Sequence, residues 1–333
     1  MRSIQLLSVA TLSILVCLVS LSAQDADVII DPEQANDDYR FQGEYVGVFK
    51  DGTDDSTIGA QIVALGDGKY QARFHSGGLP GVKWKRGDKV QLAKGERNGK
   101  VVTFTTEDGM QIMASLRDGV MILAEGDRLA GKLEKVERKS PTLGIKPPAG
   151  AVVLFDGTEK STENFIRGEL VLGNLLKHDC ETKAKFGDHK LHLEFRTPFM
   201  PKGRGQGRGN SGMYVQGRYE VQILDSFGLE GLNNECGGIY SIAQPSVNMC
   251  LPPLVWQTYD VDFTSARFGT DGSKLSNARL TLKHNGVLIH NDVELPNGTP
   301  GKFPEAAGPQ ALYLQGHGNP VVFRNVWVVP AKK

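Results

Sequence analysis

Apolar and polar residues alternate with a period of two along much of this chain. Across His189–Arg196, Leu191, Leu193 and Phe195 fall on one face, and Lys190, His192, Glu194 and Arg196 fall on the other. This is the side-chain alternation of a strand with one buried face. Residues 218–223 repeat it, setting Tyr219, Val221 and Ile223 against Arg218, Glu220 and Gln222. The same pattern predicts strands at 45–49, 60–65, 70–74, 101–104 and 120–123, then at 279–284, 287–290, 311–315 and 321–329. Asp67-Gly68, Asn98-Gly99, Asp108-Gly109, Asp118-Gly119 and Asn285-Gly286 are hairpin signals, because both positions of a tight two-residue turn need a backbone these residues tolerate. No segment has a convincing helical period, and no repeat recurs at a solenoid or propeller spacing. The fold class predicted is all-β. A small antiparallel sheet or barrel spans residues 41–138, and a two-sheet sandwich spans 151–330.

Between them, residues 139–150 are rich in proline, with Pro141, Pro147 and Pro148. Proline cannot join a central ladder and pushes the residue before it into extended backbone, so this stretch is expected to be a stiff connector. At the other end, Arg2 precedes an apolar run from Leu6 to Leu21 and the small residues Ser22 and Ala23. Residues 1–23 therefore read as a secretory signal, implying an exported protein. Residues 24–40 are acidic and polar and are expected to be a flexible leader. In an oxidising compartment disulfides persist. Cys236 and Cys250 flank a loop containing Gly237, Gly238 and Pro245 and are expected to pair, which leaves Cys180 as a buried thiol. Neither Cys-x-x-Cys nor paired histidine spacing supports zinc.

The 333 residues carry a formal net charge of +0. No basic excess is available to track phosphates, so nucleic acid is not an expected partner. The dinucleotide fingerprint, the nucleophile elbow and the zinc-protease motif are absent, and no nicotinamide cofactor is expected.

Candidate chemistry lies on the polar faces of the second half. Glu194 and Glu220 are paired carboxylates of the kind that share acid and base duties at a glycosidic bond, with ion pairing to Arg196 and Arg218 as the structural alternative. Tyr214, Gln222 and Gln315, together with the two arginines, have the directional donors and acceptors that meet sugar hydroxyls. His317 stands between two glycines that let backbone approach closely. The glycine-rich stretch 203–212 lacks the ending of a phosphate loop. It is expected to be a mobile border of the groove, with Arg204 and Arg208 closing over a ligand. The stretch Glu220 to Asp225 resembles the Glu-x-Asp-x-x-Glu strand of concanavalin-like glucanases, but with Gln222 in the middle and Asp225 last.

Seven segments also occur in the order of a known family. They are Val153-Leu154-Phe155-Asp156-Gly157, Asn210-Ser211-Gly212-Met213-Tyr214, Tyr219 to Asp225, Trp256-Gln257-Thr258-Tyr259-Asp260, His284-Asn285-Gly286-Val287, Leu314-Gln315-Gly316-His317-Gly318 and Phe323-Arg324-Asn325-Val326. In these the chain resembles the 3-keto-disaccharide hydrolase family, also described as the 3-keto-α-glucoside 1,2-lyase/3-keto-2-hydroxyglucal hydratase domain, over about residues 150–330. The resemblance implies a concanavalin-like jelly roll. It also implies β-elimination of a glycoside that a separate sugar 3-dehydrogenase has oxidised at C3, with hydration of the glucal that results. On that reading Glu220 or His317 is the base and Glu194 protonates the leaving oxygen. Arg196, Arg218 or a divalent cation holds the oxyanion, and Tyr214, Gln222 and Gln315 orient hydroxyls. A noncatalytic, lectin-like module and a conventional glycoside hydrolase are the alternatives, because one fold hosts all three.

Overall fold

The computed structural model describes residues 28–51, 54–106 and 112–332. The signal at 1–23 and the Asp108-Gly109 turn lie outside the described residues. Among those described, no helix is long and apolar enough to cross a membrane.

Eight antiparallel strands close into a barrel in sequence order: β1 (Gly43–Asp51), β2 (Asp54–Gly66), β3 (Lys69–Ser76), β4 (Val90–Asn98), β5 (Val101–Thr106), β6 (Ile112–Arg117), β7 (Val120–Glu125) and β8 (Arg128–Val136), with β8 returning to β1. Tyr45, Ile62, Tyr70, Phe104, Leu116, Met121 and Leu133 fill its interior. Closure removes the free edges that an open eight-stranded sheet would expose. The turns at Asp67-Gly68 and Asp118-Gly119 have positive φ at both positions, as a type I′ hairpin demands. Alternation did not reveal β4, β6 and β8. Their inward positions include Ala93, Gly95, Ala114, Ala130 and Gly131, which are too small to mark a buried face. A side chain at Gly95 would run into the Phe104 ring.

The second half forms two packed sheets from β9 (Val152–Phe155), β10 (Phe165–Ile166), β11 (Leu170–Val171), β12 (Leu175–Lys177), β13 (Cys180–Phe186), β14 (His189–Arg196), β15 (Ser211–Val215), β16 (Tyr219–Ile223), β17 (Gln257–Thr264), β18 (Arg267–Phe268), β19 (Lys274–Ser276), β20 (Ala278–His284), β21 (Val287–Leu295), β22 (Gln310–Leu314) and β23 (Val322–Pro330). The smaller sheet runs β10-β13-β22-β15-β16. The larger runs β11-β12-β23-β14-β17-β20-β21, with β9 added beside β23, and β18 and β19 form a separate ribbon. Leu191, Leu193, Phe195, Met213, Val221, Ile223, Tyr259 and Phe323 pack between the sheets, so the jelly-roll sandwich follows from the alternation of its strands.

Three expectations change. Residues 28–40 are not a loose leader. Ile29 pairs with Phe199, Asn36 caps the short helix α1 (Asp37–Phe41), and buried Asp38 accepts hydrogen bonds from Tyr70 Oη at 3.1 Å and the Gly68 amide at 3.2 Å. The acidic side chains serve as caps and partners. The proline-rich connector is strapped across the outer face of the larger sheet. Ser140 Oγ lies 2.6 Å from Thr258 Oγ1, and Thr142 Oγ1 donates to Asp260 at 2.7 Å. Finally, Cys236 and Cys250 are neighbouring free thiols, not a disulfide. Each sulfur has an alternative partner: Cys236 lies 3.2 Å from Tyr259 Oη, and Cys250 donates to the Leu251 carbonyl at 3.4 Å. Burial pushes the Cys250 thiol well above its ordinary pKa. Cys180 is also a buried thiol.

Candidate active site

The two carboxylates paired in the sequence stand on different sheets. Glu194 lies on the face of β14 that the connector covers. Its oxygens accept from the Gly144 amide at 2.6 Å, Arg324 Nε at 2.7 Å and Asn325 Nδ2 at 2.9 Å. Burial opposes its ionisation, but the bonds from His192, Asn325, Gly144 and Arg324 outweigh it and hold the carboxyl down at about 2. His192 joins this cluster through Asp260 at 2.6 Å and stacks on Trp327. Arg196 lies on the same covered face, donating to the Ile30 carbonyl at 2.9 Å and packing on Trp256. Glu194 is satisfied by groups of the chain itself, whereas Arg196 Nε is buried without a partner.

Glu220 belongs to β16, on the outer face of the smaller sheet. Tyr219, Val221 and Ile223 of that strand point into the core. Tyr214 is directly opposite Glu220 in the register, and Tyr313 is opposite Tyr214 on β22. Gly212 makes the close approach possible, since any side chain there would strike the Glu220 carboxylate and the Tyr214 ring. Glu220 is 4% exposed. Its backbone amide is held by Thr299 Oγ1 at 2.9 Å. Burial raises its carboxyl to about 7, against a smaller opposite pull from the Tyr214 hydroxyl. The phenol itself is pushed well above its ordinary value by burial and by the neighbouring Glu220 carboxylate, so Tyr214 keeps its proton.

Gln315 Nε2 donates to Tyr214 Oη at 3.1 Å, while its Oε1 is buried without a partner. An orphaned acceptor beside a titratable carboxyl is a place for a ligand hydroxyl. Gln222 shares the face of Glu220 and donates to Asn210 Oδ1 and Gln206 Oε1, both at 3.1 Å. Tyr240, Tyr313 and Gln315 are half-buried around these groups. Lys302 lies over the Tyr313 ring and pairs with Glu181.

Arg218 and His317 lie at the margins of this face. Arg218 sits in the turn before β16 and spends its guanidinium on Gln216 Oε1 at 3.1 Å and the Gly308 carbonyl at 3.2 Å, anchoring the segment that covers the sheet. His317 is exposed in the loop after β22, whose Asn319 accepts from the Asn210 amide at 2.8 Å. Thus Glu220, Tyr214, Gln222 and Gln315 come together, while Glu194, Arg196 and Arg218 do not join them. Sequence reasoning left out Gln206 and Tyr240 as groups beside Gln222 and Glu220, whereas Asn210 was already marked by the segment that leads into Tyr214.

Among the described residues, no group of three or more His, Cys, Asp or Glu side chains is placed to hold a metal ion. Cavities are present elsewhere, including one of about 250 Å³ at the barrel mouth beside Phe49, Phe74 and Leu123.

A jelly roll with a protonatable carboxyl in an amide- and phenol-lined face has the features of a carbohydrate-active domain. Residues 150–329 match the model of the 3-keto-alpha-glucoside-1,2-lyase-like domain, and the chain belongs to that family. It is similar to a crystal structure of a protein from Parabacteroides distasonis named provisionally as a glycosyl hydrolase, with 32% identity and a TM-score of 0.50, covering 55% of this chain and 85% of that one. A second protein from the same organism, with the same provisional name, is similar at 18% identity and a TM-score of 0.41, covering 55% and 95%. No curated relative matches the chain. The comparisons support a carbohydrate-active function, and the family match does not reach the barrel.

Proposed function

We propose that this protein is an exported enzyme that cleaves glycosides carrying a ketone at C3, with Glu220 as the reacting group. The observation that carries the proposal is a single carboxyl held near neutrality beside a phenol that keeps its proton. A C3 ketone acidifies the C2 proton. The Glu220 carboxylate removes that proton, and the electron pair forms an enolate with its charge on the C3 oxygen. The enolate then collapses, the C3 carbonyl reforms, a C1–C2 double bond appears and the C1–O bond breaks. The leaving oxygen takes the proton from Glu220, so one carboxyl serves as base and then acid. A pKa near the working pH suits both duties. Glu194 takes no part, because it lies under the connector on the other sheet. The Tyr214 hydroxyl, which donates to the Pro300 carbonyl at 3.2 Å in the free protein, turns its proton to the developing oxyanion, and Gln222 and Gln315 orient hydroxyls. Water adds across the double bond by the reverse sequence. An oxidation at C3 of the sugar must precede this reaction, which a separate dehydrogenase supplies.

The purified mature chain is incubated with a 3-keto-glucoside and with its unoxidised parent, with and without added divalent metal, and products are followed by mass. Cleavage of the keto-sugar alone is expected. Cleavage of the parent would indicate an ordinary glycosidase. Binding without turnover of either sugar would indicate a lectin-like module. The mass of the exported chain's N-terminus tests the predicted cleavage before Gln24.

A further inference from the structure

The glycine-rich segment before β15 faces in two directions. Toward the barrel, Arg204 donates through Nη2 to the Leu65 carbonyl at 3.0 Å and through Nη1 to the Pro201 and Gly203 carbonyls at 2.6 and 2.7 Å. Arg208 is 5% exposed. It grips Asp225 at 2.6 Å and the Ala64 carbonyl at 3.3 Å. Ala64 and Leu65 lie near the end of β2, so both arginines bond the barrel's backbone, Arg208 from a buried position and Arg204 from an exposed one. Lys202 adds an ion pair to Asp67 at 3.1 Å.

Toward the sandwich, the same segment presents Gln206. Its Nε2 donates to the Asn234 carbonyl at 2.7 Å, and its Oε1 accepts from Gln222 at 3.1 Å and Asn210 at 3.2 Å. Gln222 is two residues from Glu220 on one face of β16, roughly 7 Å along the strand. An amide at that spacing can meet a sugar hydroxyl close to a bond that reacts at Glu220. Gln206 is exposed while its amide partners Gln222 and Asn210 are buried, so it forms the solvent side of this wall.

We propose that Gln206 is a specificity-determining residue of the Glu220 face and that the barrel is the template that holds it, through Arg204 and Arg208 as positioning residues. The proposal rests on the sugar-cleaving function above. It gives the barrel, which the family match does not cover, the task of fixing a binding wall in advance of the ligand.

Michaelis parameters for a 3-keto-glucoside are measured on the full chain carrying Gln206→Ala, Arg204→Met, Arg204→Lys, or Gln206→Ala with Arg204→Met. Gln206→Ala raises KM roughly three- to tenfold at nearly unchanged kcat, because one neutral hydrogen bond is lost equally from ground and transition states. Arg204→Met raises KM in the same direction, Arg204→Lys restores part of it, and the double variant is no worse than Gln206→Ala alone. Multiplying effects in the double variant, or a wild-type KM for Arg204→Met, overturn the proposal. Amide exchange across residues 203–210, followed on the same proteins, is faster in Arg204→Met. Wild-type exchange there overturns the brace whether or not any sugar is cleaved. Faster exchange alongside a wild-type chain that cleaves no keto-sugar upholds the brace and removes the proposed function instead.

Discussion

A solvated glutamate ionises in the low fours. Glu220 stays protonated to about 7 because burial penalises its charge more than the Tyr214 hydroxyl relieves it. Two consequences follow with opposite signs. The base must be a carboxylate, so kcat/KM should fall about tenfold per pH unit below the folded pKa and level off above it. Stability moves the other way. The unfolded chain releases this proton near its ordinary pKa, whereas the folded chain holds it to about 7. Folding is therefore progressively disfavoured as pH rises between those values, by up to roughly 3 kcal/mol at the plateau. Glu220→Gln keeps the shape and removes the charge, so it should abolish turnover yet melt no lower than wild type at pH 8. A Glu220→Gln chain that still cleaves a keto-sugar removes Glu220 as the reacting group. Residue identity alone did not reveal this difference from Glu194. Both glutamates sit on period-two polar faces, and their pKa values part only because Glu194 gains four hydrogen-bonding partners and Glu220 has little beyond Tyr214.

Strand β14 shows what alternation does and does not encode. It fixes which residues share a face, and His192, Glu194 and Arg196 do share one. It does not tell what covers that face or which sheet the strand joins. The cover here is residues 140–145, where Gly144 and the Ile145 carbonyl bind Glu194 and Asn325. Proline-rich composition announced an extended segment but not its docking, because the partners are dispersed through β14, β17 and the start of β23. The hairpins, by contrast, were legible, since Asn285-Gly286 and Asp67-Gly68 carry the backbone requirement in the residues themselves. Glu194→Ala would leave Arg324 and the Gly144 amide unmatched beneath the strap, costing on the order of 3 kcal/mol. Chemical denaturation should register that loss while kcat for the variant at 20 °C stays near wild type. This stabilisation is present above the carboxylate's ordinary pKa and is lost as pH falls through about 2. A variant of normal stability and lost turnover would return Glu194 to the catalytic machinery.

The barrel and the sandwich exchange parts of their cores. Val63 and Trp84 of the barrel half belong to the sandwich's apolar cluster, and Phe199 and Leu254 of the sandwich half belong to the barrel's. Arg86 Nη2 shares its two N–H groups among the carbonyls of Glu230, Gly231 and Pro245, at 3.1, 2.8 and 3.0 Å. Periodicity could separate the two halves, since each repeats on its own strands. It could not show that they interlock, because the residues involved are isolated in loops and strand ends. Tethered domains with small polar contacts move independently by default, whereas shared apolar packing couples them. Heating should therefore unfold both halves in one transition whose calorimetric and van't Hoff enthalpies agree. Trp84→Ala deletes a large side chain from the shared region at a cost of roughly 3–5 kcal/mol. If the halves are one cooperative unit, that substitution lowers the single transition as a whole, in both tryptophan fluorescence and the far-ultraviolet strand signal. Two resolved transitions in the wild-type chain, with only one displaced by Trp84→Ala, would mean that the barrel and the sandwich unfold separately despite their shared contacts.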